Sequence, residues 1–210
     1  MDAIIFDLGN VLLTLHWERM IDHLARWSEY PPRELGEKVS ASQWLKRLAR
    51  GEVSQWDCFE GVREELRFGG TFEQFCEAWS DMFSPNEPVL AAAHQLRGRM
   101  PRVVLSNTNA IHMQYIFARF PMIRGFDGYV LSHELGVEKP DRRIFEWTVR
   151  RYRLNARRTV FVDDVAEYVA GARAAGLHAV HHTDAQRTLA ELTKLGVPLI
   201  ETTSSQPTPR

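Results

Sequence analysis

Four short apolar segments mark the chain: Ala3-Ile-Ile-Phe6, Arg102-Val-Val-Leu105, Thr159-Val-Phe-Val162 and His178-Ala-Val180. The first three are continuous rather than alternating, the pattern of strands covered on both faces in a parallel sheet. Between the later segments apolar residues fall at helical spacing. Val89, Leu90, Ala93 and Leu96 share one face, as do Ile144, Phe145, Val149 and Tyr152. Val165 to Ala175 is alanine-rich, with Gly176 as a natural stop. This alternation predicts an α/β fold with a doubly wound, Rossmann-like parallel sheet.

The interval from Trp17 to about Phe83 breaks the rhythm. It predicts helices over Trp17–Glu29, Pro32–Val39, Ala41–Ala49, Ser54–Leu66 and Thr71–Met82, with no strand. Pro31-Pro32, Gly51 and Gly69-Gly70 separate them. Thr71 with Gln74 has capping-box spacing, and Ser54 and Pro32 suit helix starts. Tryptophans 17, 27, 44, 56 and 79 fall in this stretch, which predicts a helical insert with its own aromatic core. Ser84 to Pro88 reads as the linker back to the sheet. The expected division is a core of residues 1–15 and 86–200, a helical cap over 16–85, and a frayed Thr/Ser/Pro-rich tail over 201–210.

Composition narrows the function. Across 210 residues, 26 Lys and Arg stand against 27 Asp and Glu, which gives no electrostatic reason to expect nucleic acid or an anionic membrane as partner. No apolar stretch reaches the ~18 residues of a membrane span. The N-terminus lacks the basic flank of a signal peptide, since Asp2 and Asp7 bracket its only apolar run. Cys58 and Cys76 read as two free thiols. A reducing cytoplasm is the expected location.

Polar residues stand directly after three of the apolar runs: Asp7, Ser106-Asn107 and Asp163-Asp164. In an open α/β sheet the carboxyl ends of the strands line the ligand crevice, so these groups are expected to converge. Convergence carries an electrostatic cost. Two unit charges about 4 Å apart repel by roughly 4 kcal/mol at an effective dielectric of 20. Three carboxylates therefore need a cation or a proton among them. Oxygen ligands without nearby His or Cys favour a hard cation, and Mg²⁺ is the usual one beside a phosphate. Lysine is the other source of positive charge. The chain has four lysines against 22 arginines, and Lys139 stands just before Pro140-Asp141 at an apparent helix start.

Phe6-Asp-Leu-Gly-Asn-Val11, Leu105-Ser-Asn-Thr108, Gly136-Val-Glu-Lys-Pro-Asp141 and Phe161-Val-Asp-Asp164 resemble, in order, the four motifs of the haloacid dehalogenase superfamily. The resemblance covers nearly the whole chain, including a helical cap of the C1 type. Its first motif resembles that of bacterial phosphatases acting on glucose 1-phosphate. It implies Asp7 as a nucleophile that forms an aspartyl-phosphate. It implies Mg²⁺ held by Asp7, the Gly9 carbonyl, Asp163 and Asp164, without assigning which of the last two binds directly. Phosphoryl oxygens would be held by the Ser106 hydroxyl and the amide of Asn107, with Lys139 neutralising charge. The implied partner is a small phosphorylated metabolite, a sugar phosphate by the closest resemblance.

Two departures stand out. Most phosphatases of this superfamily carry a second aspartate two residues after the nucleophile, as general acid and base; here that position is Gly9. Losing such a group typically costs 10²–10⁴-fold. Tyr168 replaces an asparagine usual after the double aspartate, and Glu167 is a candidate for acidic support of the metal. His16 is a candidate donor at the hinge, against an ordinary partly exposed histidine. Asn109 reads as a substrate contact or a helix N-cap, and His181-His182 as a solvated pair on opposite strand faces. The arginines at 150, 151, 153, 157 and 158 read as a solvated face. Trp17, Trp44 and Trp56 read as cap core, against stacking on a sugar. Two rival functions are a 2-haloacid dehalogenase, which would not need the pair Asp163-Asp164, and a catalytically feeble binding protein, suggested by Gly9 and Tyr168.

Overall fold

A computed structural model describes residues 1–200, and the expected tail over 201–210 lies outside the described residues. The strands are β1 (Ala3–Phe6), β2 (Leu13–Leu15), β3 (Phe83–Pro85), β4 (Arg102–Ser106), β5 (Gly128–Leu131), β6 (Thr159–Asp163) and β7 (His178–His181). Five form a parallel sheet in the order β5-β4-β1-β6-β7. From β1 the chain winds outward through β4 and β5, then crosses back to β6 and β7. β1 therefore lies where the winding reverses, and such a sheet opens its ligand crevice at the carboxyl end of that strand.

Side-chain alternation divides the core. Ile4, Phe6, Val104, Val160 and Val162 pack on one face; Ile5, Val103, Leu105 and Phe161 pack on the other. β1, β4 and β6 are buried along their whole length, as continuous apolar runs require.

Helices α1 (Trp17–Ala25), α2 (Pro32–Ala41), α3 (Gln43–Ala49), α4 (Gln55–Glu65) and α5 (Phe72–Ser80) lie between β2 and β3. The others, α6 (Glu87–Gln95), α7 (Ala110–Arg119), α8 (Ser132–Leu135), α9 (Arg142–Arg151), α10 (Ala166–Ala174) and α11 (Ala185–Lys194), accompany the parallel sheet. The cap chemistry read from the sequence holds. Ser54 accepts the Asp57 N–H, Thr71 and Gln74 form the complete capping box, and Gly176 follows α10 at φ +89°.

Three expectations are corrected. β5 was not anticipated: it is a short edge strand that begins at a glycine, held by the Tyr152 hydroxyl bonding the backbone of Tyr129. The insert is not purely helical at its margins. β2 and β3 pair antiparallel, Leu15 opposite Phe83 and Leu13 opposite Pro85, where a linker was expected. The third concerns the aromatic core, which is built mainly of Phe59, Phe68, Phe72 and Phe75, with Trp79 stacked on Phe75. Trp17 and Trp56 are instead 42% and 56% exposed. Compact apolar rings fill most of the interior, and Trp79 is the indole buried with them.

Candidate active site

The structure brings together six of the seven residues singled out for chemistry, through side chain or strand position; the seventh, Gly9, follows two residues after Asp7. Asp7 follows β1, and its N–H donates 2.8 Å to the Val162 carbonyl of the neighbouring strand. Ser106 and Asp163 are the last residues of β4 and β6. Phe6 stands opposite both Val104 and Val162, so the three polar strand ends meet at one edge. Carboxylate oxygens of Asp7, Asp163 and Asp164 all lie within 4.8 Å of one another.

Lys139 reaches this cluster from the loop before α9. Its Nζ lies 2.7 Å from Asp7 Oδ1 and 2.6 Å from Asp163 Oδ2. All three are buried, Asp163 completely. Burial pushes the Asp7 carboxyl up to about 6; Lys139 pulls it down, and Asp163 adds to the rise. Burial likewise raises Asp163 against the pull of Lys139. For Lys139 burial alone would disfavour the ammonium, but Asp7 and Asp163 outweigh it, and its pKa stays above the ordinary lysine value. The lysine is therefore a fixed positive charge for two carboxylates that remain expensive to ionise. A further cation at the cluster would reverse the rise at Asp7.

Asn107 supports the lysine directly. Its side-chain oxygen accepts the Lys139 N–H at 2.8 Å, and its Nδ2 donates to the Lys139 carbonyl at 3.0 Å. With that amide committed, the Asn107 group next to the Ser106 hydroxyl that can meet an anion is the backbone N–H. Tyr168 packs against the same unit, its ring centroid 5.0 Å from Lys139 Nζ and its hydroxyl 3.4 Å from Asn107 Nδ2. The tyrosine thus occupies the support position behind the lysine, a role the sequence did not disclose.

The donor set fits a hard divalent ion. It is all oxygen and anionic, and Asp164 keeps an oxygen that no protein donor occupies. Asp163 already accepts from Lys139 through Oδ2 and from the Val165 N–H through Oδ1. Asp164 accepts from Asn10 through Oδ2 alone. Glu167 does not belong with them: it is exposed in the first turn of α10. His16 is paired with Ser84 across the β2–β3 ribbon at 2.6 Å, the ordinary hinge reading. Asn109 caps α7 by accepting the His112 N–H. His181 and His182 do face opposite ways, but only His181 is solvated; His182 is buried against Thr188.

The strand leading into the insert and the insert itself pack near this edge. The Leu15 side chain lies against Gly9, where an added Cβ would sit 3.2 Å from Leu15 Cδ1. The Ser132 hydroxyl donates to the Ala49 carbonyl at 2.8 Å. Gly51, at φ +69°, sits so close to α8 that a Cβ would fall 2.0 Å from the His133 carbonyl oxygen. Asp7 is left 7% exposed and Ser106 3%.

Comparison with known proteins gives a consistent picture. The family description of haloacid dehalogenase-like hydrolases matches residues 1–176. The chain is 27% identical over 199 residues to a sesquiterpene phosphatase of Aspergillus oryzae, covering 92% of this chain and 95% of that protein. It is 23% identical over 193 residues to a phosphatase of Mycobacterium tuberculosis, covering 84% and 85%. Among solved structures it resembles a haloacid dehalogenase family enzyme of Bacteroides thetaiotaomicron in complex with magnesium and inorganic phosphate. That match has a TM-score of 0.79 at 23% identity, over 86% of this chain and 93% of the other.

Proposed function

The chain belongs to the haloacid dehalogenase-like hydrolases, and from that membership we propose that it is a Mg²⁺-dependent phosphomonoester hydrolase acting through an aspartyl-phosphate on Asp7. The observation that carries this reading is the buried Asp7 carboxylate, paired with Lys139 at 2.7 Å and within 4.8 Å of the Asp163 and Asp164 carboxylates. Residues 16–85 act as the cap, and 1–15 with 86–200 as the catalytic core.

Each residue has a share in the chemistry. Asp7 attacks phosphorus through one oxygen; the phosphorus–ester oxygen bond breaks, and the leaving alkoxide takes its proton from a water molecule, since Gly9 supplies none. Water then hydrolyses the acyl phosphate and restores the carboxylate. The Ser106 hydroxyl and the Asn107 backbone N–H hold non-bridging oxygens, and the Lys139 ammonium balances their charge. Mg²⁺, when bound, supplies charge neutralisation at the transferring phosphoryl group. Asp7, the Gly9 carbonyl and Asp164 would hold it directly, because both Asp163 oxygens already accept hydrogen bonds, from Lys139 and from the Val165 N–H. The cap excludes water during transfer.

The substrate is a small phosphorylated metabolite, a sugar phosphate on the first-motif resemblance. A second reading, an apolar alkyl phosphate, is favoured by Leu15 lying over Gly9. Similarity to a sesquiterpene phosphatase points the same way. A dehalogenase would leave the Asp164 carboxylate without a purpose, and a feeble binding protein would not need the buried nucleophile–lysine pair. Among the described residues no helix is long and apolar enough to cross a membrane. Cys58 and Cys76 are free thiols, which supports a reducing cytoplasm.

One screen tests the whole reading: glucose 1-phosphate, other sugar phosphates, a prenyl monophosphate and chloroacetate, each with Mg²⁺ and with excess chelator. Phosphate release that requires Mg²⁺ is expected. Chelator-insensitive phosphate release would overturn the metal role, and halide release without phosphate release would overturn the reaction.

A further inference from the structure

We propose that Asn10 is a positioning residue for the metal, holding the Asp164 carboxylate and tying it to the root of the cap; this rests on the Mg²⁺ reading above. Asn10 is three residues past the nucleophile and belongs to none of the groups so far given a role. Its Nδ2 donates to Asp164 Oδ2 at 2.9 Å, and its Oδ1 accepts the Leu15 N–H at 3.2 Å. The two ends of one planar amide thus join a carboxylate after β6 to the last residue of β2, the strand that leads into the cap.

The backbone is part of the device. Asn10 has φ +54°, a left-handed conformation in which non-glycine residues are uncommon and asparagine is enriched. The turn turns the chain sharply after Gly9 and presents the amide to Asp164. A donor on Oδ2 holds the carboxylate in place and leaves Oδ1 without a competing protein donor. Outer partners of this kind orient metal ligands, and losing one typically costs roughly 10–100-fold in affinity. A cation held by Asp164 is thereby linked, through one side chain, to Leu15, whose side chain covers Gly9.

A simpler role exists: asparagine as a turn residue that tolerates positive φ. The two predict different results for Asn10→Gly, which keeps the turn and removes only the amide. Mg²⁺ binding is measured by titration calorimetry and by the rise in melting temperature with Mg²⁺, for wild type, Asn10→Gly and Asn10→Ala. The expected result is a Mg²⁺ dissociation constant raised roughly 10–100-fold in both variants, with the alanine protein alone losing apo stability from backbone strain. Wild-type Mg²⁺ affinity retained in Asn10→Gly would overturn the positioning role. Absence of Mg²⁺ binding by the wild type would overturn the metal reading itself, a separate outcome. If one variant fails to fold, the other still reports.

Discussion

Gly9→Asp restores the carboxyl that most phosphatases of this family carry two residues after the nucleophile, and the structure sets what it should cost and yield. Gly9 is free of positive φ, so a side chain is not barred by the backbone. The obstacle is Leu15: an added Cβ meets its Cδ1 at 3.2 Å, its Cγ at 3.6 Å and its Cδ2 at 3.7 Å. Only the first is tighter than ordinary contact, and it is the tip of a side chain that can rotate. Overpacking generally costs about 1–3 kcal/mol, so the single variant should fold with a modest loss. Leu15→Ala as a second substitution removes the crowding. A placed general acid is worth typically 10²–10⁴-fold, about 3–5 kcal/mol of barrier, where the leaving group needs its proton. An aryl phosphate leaves unaided and should gain little. The assay is kcat/KM for an alkyl and an aryl phosphate at saturating Mg²⁺, with the alkyl-to-aryl ratio as readout. That ratio should rise in Gly9→Asp and further in the double variant. A folded double variant with the wild-type ratio would show that this position lacks something other than a proton donor.

Asp7→Asn should abolish phosphate release while leaving the melting temperature within a few degrees of wild type, because the amide keeps the shape and removes a costly buried charge; an active, folded variant refutes nucleophilic catalysis by Asp7. Lys139→Met strands two buried carboxylates and should destabilise the protein by about 3–5 kcal/mol at pH 7, read from urea melts, with a smaller loss in acid as the carboxyls take up protons. His112 offers a pH test away from the chemistry: burial holds its ring down to about 4, below the ordinary histidine value, against an opposing hydrogen bond to the Trp79 carbonyl. Above pH 6.5 both folded and unfolded rings are neutral and the residue contributes no pH dependence. Between 6.5 and 4 only the unfolded chain binds the proton, so stability should fall with acidification, by at most about 3 kcal/mol. Melts of His112→Gln across that window should lack this component.

The sheet and the convergence of polar groups at its edge were legible for a common reason. Strands buried on both faces read as uninterrupted apolar runs, and a polar residue directly after such a run has nowhere to go but the crevice, as Asp7, Ser106 and Asp163 illustrate. Gly128-Tyr-Val-Leu131 escaped because an edge strand needs only part of that signature, and its glycine and tyrosine owe their places to Tyr152, which is distant in sequence. The β2–β3 ribbon escaped because three residues cannot show a period and Pro85 argues against a strand. Lys139 stood out by the scarcity of lysine, by its place before an apparent helix start and by its motif, not by any apolar run. What no local pattern carries is how amides are spent. Asn107 facing Lys139 and Asn10 facing Asp164 are contacts between segments 32 and 154 residues apart. For Asn10 one signal was present: an asparagine straight after a glycine, in a turn, is a residue suited to left-handed backbone.

The pairing of Leu15 with Phe83 makes the helical insert a detour that leaves and rejoins the chain at a single rung. Two residues in a tight turn suffice to join strands at such a rung, so the five helices could be exchanged wholesale without re-routing any strand of the larger sheet. Natural variation in what these hydrolases accept can then be written in a removable segment, while the chemistry beneath is inherited unaltered.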